Sequence, residues 1–155
     1  MLRPLDGLAI QLSITIPKPE AFAPGFGLVV ARMAAAAGPV LRALHRAAYD
    51  LDFSSRARHT AAAGLLYMCE PLDFLPLNAD RSPERAIDNL YAGFAALRQL
   101  AILEGPAAVV RHWRPEPPVQ EGLVLLAKLD EVAAYVPPIV LGKVQHYLDI
   151  GDEAS

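Results

Sequence analysis

The chain has 155 residues, the length of one ordinary domain, and at 54 % apolar and 20 % charged it is too rich in core-forming side chains for a disordered polymer. A formal net charge of −3 argues against nucleic acid as a partner, because phosphates must be met by a basic surface. The single cysteine, Cys69, excludes an internal disulfide, and no uncharged run approaches the ~18–20 residues that cross a bilayer.

The amino terminus lacks the pattern of a signal peptide, so a soluble, cytoplasmic protein is expected. LAIQLSITIP (8–17) alternates strictly, with Ile10, Leu12, Ile14 and Ile16 on one side and Gln11, Ser13 and Thr15 on the other. That is the period of a half-buried strand. The chain offers no second alternating run, which leaves two partners for it: the same segment of a second chain, or its own domain as an extended arm. PKPEAFAPGFG (17–27) then reads as a loop.

From Leu28 the pattern becomes helical. Pro39 fits a first helical turn, where its missing N–H costs nothing. Val40, Leu44, Ala47 and Leu51 form one apolar stripe, with Arg42, His45, Arg46 and Tyr49 opposite. Ser54 or Ser55 caps a helix expected to end before Pro71. Ser82-Pro83-Glu84 starts the next, which carries Ile87, Leu90, Tyr91, Phe94, Leu97 and Leu100. Gly105 stops it, and Pro106 opens an extra turn through Trp113. Leu123, Leu126, Leu129, Ala133 and Val136 mark a further helix ended by Pro137-Pro138, and Val140, Val144, Tyr147 and Leu148 a short last one. The expected fold is all-α: a compact bundle of five to six short helices with an extended N-terminal arm. Residues 1–24 form the arm and loop, 25–150 one helical domain and 151–155 a frayed tail.

The inventory for chemistry is thin. His45, His59, His112 and His146 show no i, i+4 pair of the kind that holds a metal on one helix face, and Cys69 has no second cysteine nearby. No glycine-rich phosphate loop or nucleophile elbow appears. Trp113 reads as a core plug at a helix end. No catalytic residue, metal or cofactor is expected. Charge is uneven: 28–62 holds five arginines against two aspartates, an excess of +3, while 115–155 holds seven acids against two lysines, or −5.

The stretch LLYMCEPLDFLPLN (65–78) carries the best constellation. Glu70, Asp73, Asp80 and Asp88 lie close in sequence with Arg81 and Arg85 among them. Converging carboxylates bind cations or do acid–base work, so these four are the candidate ligand-binding residues. The competing reading makes Asp73 the cap of a turn between Pro71 and Pro76. LLYMCEPLDFLP (65–76) resembles the YkvA-like family, small bacterial proteins of unknown function, with Tyr67, Pro71, Asp73 and Pro76 at the family's positions. IDNLYAGFAAL (87–97) looks like its second half. Leu77 stands where the family usually has an acid, and Asp88-Asn89 where it has Asp-Asp. The resemblance implies a helical fold and no established reaction.

The functional expectation is a non-catalytic helical interaction or scaffold protein that self-associates through Ile10, Leu12, Ile14 and Ile16. The alternatives are a cation- or small-ligand-binding protein, or an enzyme, using the Asp73/Asp88 corner, and a protein of the membrane surface held by its arginine-bearing segment.

Overall fold

The structure, a computed structural model, describes residues 26–74, 83–114, 119–134, 136 and 138–153. The alternating segment 8–17 lies outside them, and so do 75–82. Among the described residues the fold is all-α, with no strand. In chain order the helices are α1 (Phe26–Ala35), α2 (Ala37–Ala48), α3 (Ser55–Phe74), α4 (Pro83–Glu104), α5 (Pro106–Trp113), α6 (Val119–Ala127), α7 (Leu129–Ala133) and α8 (Pro138–Glu153).

Among the described residues there are eight helices, more than the five to six expected: the start read at Pro39 belongs to α2, which a separate α1 precedes, and the pattern from Leu123 to Val136, read as one helix, is broken. Ala36 separates α1 from α2 at φ −89°, ψ 0°, and Lys128 separates α6 from α7 at φ −90°, ψ 2°. At each break one N–H is shared between two carbonyls: Ala36 with Arg32 and Met33, Lys128 with Val124 and Leu125. Gly38 and Pro39 follow the first break closely, whereas no proline or glycine marks the one at Lys128, and hydrophobic period alone runs straight across it. The turn at Lys128 also changes the buried face. Leu125, Leu129, Val132 and Val136 reach the core, whereas Leu123 of the expected stripe is exposed.

Other local signals are realised. Pro39 is the third residue of α2, and the first bond back to Ala36 comes from Val40, so no helical hydrogen bond is lost. The Ser54 hydroxyl accepts the Ala57 N–H at 3.1 Å, the geometry of an N-cap, and caps α3. Gly105 adopts φ 90°, ψ 152°, a region closed to side chains, and Pro106 follows as the first residue of α5. Pro71 does not end α3 as expected. It forfeits one N–H bond near the helix's end, and the backbone stays helical to Phe74. Asp73 therefore lies in the last turn of α3.

Helix α4 occupies the centre and touches all seven other helices. Its burial is correspondingly wide: Leu90, Tyr91, Ala92, Phe94, Ala96, Leu97 and Leu100 are all in the core, more than one stripe can supply. Helix α3 lies antiparallel beside it at close range. A methyl group on Gly64 would collide with the Ala96 methyl, and one on Gly93 with the Met68 sulfur and, at 3.0 Å, a Val40 methyl. On its other side α3 carries α8, where Tyr67 meets Tyr147 edge-on at 5.4 Å. No described helix is long and apolar enough to cross a membrane.

The glycine contacts differ in how far they can yield. Gly64→Ala sets a methyl against another short, stiff side chain, so α3 and α4 must separate. Gly93→Ala meets mainly the flexible end of Met68. Overpacking of this kind costs about 1–3 kcal/mol, and chemical denaturation of the two variants is expected to show Gly64→Ala as the less stable.

Candidate functional site

The four candidate carboxylates sit on the α3–α4 pair and the segment between. Glu70 and Asp73 are in the last turns of α3, with only their backbone described, Asp80 lies outside the described residues, and Asp88 is half-buried on α4. The packing of Gly64 on Ala96 and of Gly93 on Met68 sets the antiparallel register. Continued by one turn, that register brings Asp73 level with Asp88. Asn89, in place of the second family aspartate, is buried. Among the described residues no three His, Cys, Asp or Glu side chains gather as a metal site.

A different constellation stands out at the corner between α2 and α3. Helix α2 ends at Ala48, and the chain turns back on itself, Tyr49 N–H to the Arg46 carbonyl and Asp50 N–H to that of Ala47, both at 3.2 Å. The Asp50 side chain then points inward, only 11 % exposed. One carboxylate oxygen accepts the Asp52 N–H at 2.9 Å, closing an Asx turn. The other accepts from Arg111 and, at 2.7 Å, from Nε2 of His112, both on α5. An ionised carboxylate only accepts, so Nε2 carries the proton in this contact.

Further contacts tie the same elements together. Arg46 of α2 donates to the His112 carbonyl at 2.7 Å. The Phe53 ring meets the His112 ring edge-on at 5.1 Å, and the Arg111 guanidinium lies 5.5 Å over the Phe53 centroid. Glu104, at the end of α4, accepts the Ser54 N–H at 2.8 Å. Burial alone would raise the Asp50 carboxyl, but the Asp52 N–H, the His112 hydrogen bond and the charges of Arg111 and His112 outweigh it and hold the group below the ordinary aspartate value.

Both Asp50 oxygens are engaged, the pattern of a clamp rather than of a base left open to substrate. Its consequence is outward. With Asp50 pinned inside, its neighbours Tyr49 and Leu51 project into solvent, 75 % and 84 % exposed. The His45 ring rests against Tyr49 at 5.1 Å. Leu51 thus leaves the apolar stripe expected for it, because α2 ends before reaching it. Val40, Leu44 and Ala47 of that stripe are buried.

Sequence reasoning missed this site. Asp50 and His112 are 62 positions apart, and neither sits in a local motif. Trp113, beside His112, is the core plug expected: its ring fills the space over Gly122, where a methyl group would meet it at 2.8 Å. The crevice between α5 and α6 at this point, lined by Val109, Val110 and Leu126, is too small for more than a water molecule. His45, His59 and His146 are exposed.

In comparisons with known proteins, the chain matches no family model, no curated protein and no solved structure.

Removing the Asp50 carboxylate strands two α5 donors, so Asp50→Ala is expected to cost about 1–3 kcal/mol. The sign of its pH dependence follows from the depressed value. The carboxylate stabilises the fold above its unfolded pKa, near 3.8, and that contribution is lost as pH falls through the lower folded value. Urea unfolding at a series of pH values is expected to show the gap between wild type and Asp50→Ala closing below about pH 4.

Proposed function

We propose that this chain is a non-catalytic helical interaction protein that self-associates. The observation that carries the proposal is the clamped corner: a tyrosine and a leucine held out in solvent on a turn fixed from behind by Asp50, Arg111 and His112. A displayed pair of this size on a rigid support has its ordering entropy already lost before a partner arrives, and tyrosine and arginine are enriched among the residues that dominate interfaces. The alternating segment with Ile10, Leu12, Ile14 and Ile16 is the second proposed contact, pairing with its own copy as a strand. The YkvA-like resemblance of 65–97 belongs to this proposal and adds no reaction to it.

Light scattering on the full chain tests the reading. Wild type is expected to run as a dimer, and the full-length Leu12→Lys/Ile14→Lys variant to dissociate more readily. A wild-type monomer at every accessible concentration contradicts the proposal.

A second reading is favoured by one observation, the register that brings Asp73 level with Asp88. A cation held there by carboxylates drawn from Glu70, Asp73, Asp80 and Asp88 would link α3 to α4. Calorimetric titration with Mg²⁺ and Ca²⁺ is expected under this reading to give binding heat that Asp73→Ala abolishes. Absence of heat in wild type removes it.

A further inference from the structure

We draw no further inference here: the strongest candidate, the exposed patch of Tyr49 and Leu51 on the corner between α2 and α3, belongs to the interaction role already proposed, and nothing in the structure shows what covers it.

Discussion

The close approach of α3 to α4 is the constraint on which the rest of the structure depends. Helix α4 packs against seven other helices, so little of its length faces solvent, Ile102 near its end being 70 % exposed. Glycine at 64 and 93, with alanine at 96, lets the two long helices meet nearly backbone to backbone. The bulk removed from that seam reappears one face away as Phe94, Leu90, Leu97 and Leu100, around which the shorter helices assemble. The acidic candidates Asp73 and Asp88 come to one level only because this seam sets the register.

The clamped corner is a second, independent device, built at the end of the bundle where α2 stops. Apart from the Asx turn, its polar contacts join groups far apart in sequence, and breaking one leaves a partner that would be costly to bury unpaired. The network thus ties this turn to α5. Asp50 is turned inward while its neighbours Tyr49 and Leu51 are exposed, which is the display that the proposed interaction role rests on. A surface residue of this kind is ordinary when scattered and mobile, and informative when its support is rigid.

Much of the fold was legible because it is written locally. The 3.6-residue period gave the helical class, Ser54 the cap of α3, and Gly105-Pro106 the boundary between α4 and α5. Pro39 announced a helix start close to the Ala36 break, whereas Lys128 was not legible as a break, since lysine is a good helix former. Pro71 misled in the other direction, because one lost hydrogen bond near a helix end is tolerable. Leu51 was assigned to the core by a periodicity that outran its helix. Of the candidate site, the sequence could indicate acids near one another along the chain, and the structure adds the register between Asp73 and Asp88. It could not indicate the Asp50–Arg111–His112 contact, which depends on α5 folding back across the end of α2.

The clamped corner is proposed as an interface. Amide hydrogen exchange on the full-length protein, followed by mass spectrometry at a dilute and a concentrated condition, addresses it without any substitution. Exchange at residues 45–56 is expected to slow as concentration rises, while the buried seam of α3 and α4 stays equally protected in both. An exchange pattern for 45–56 that does not change with concentration, in a sample shown to dimerise, would contradict it.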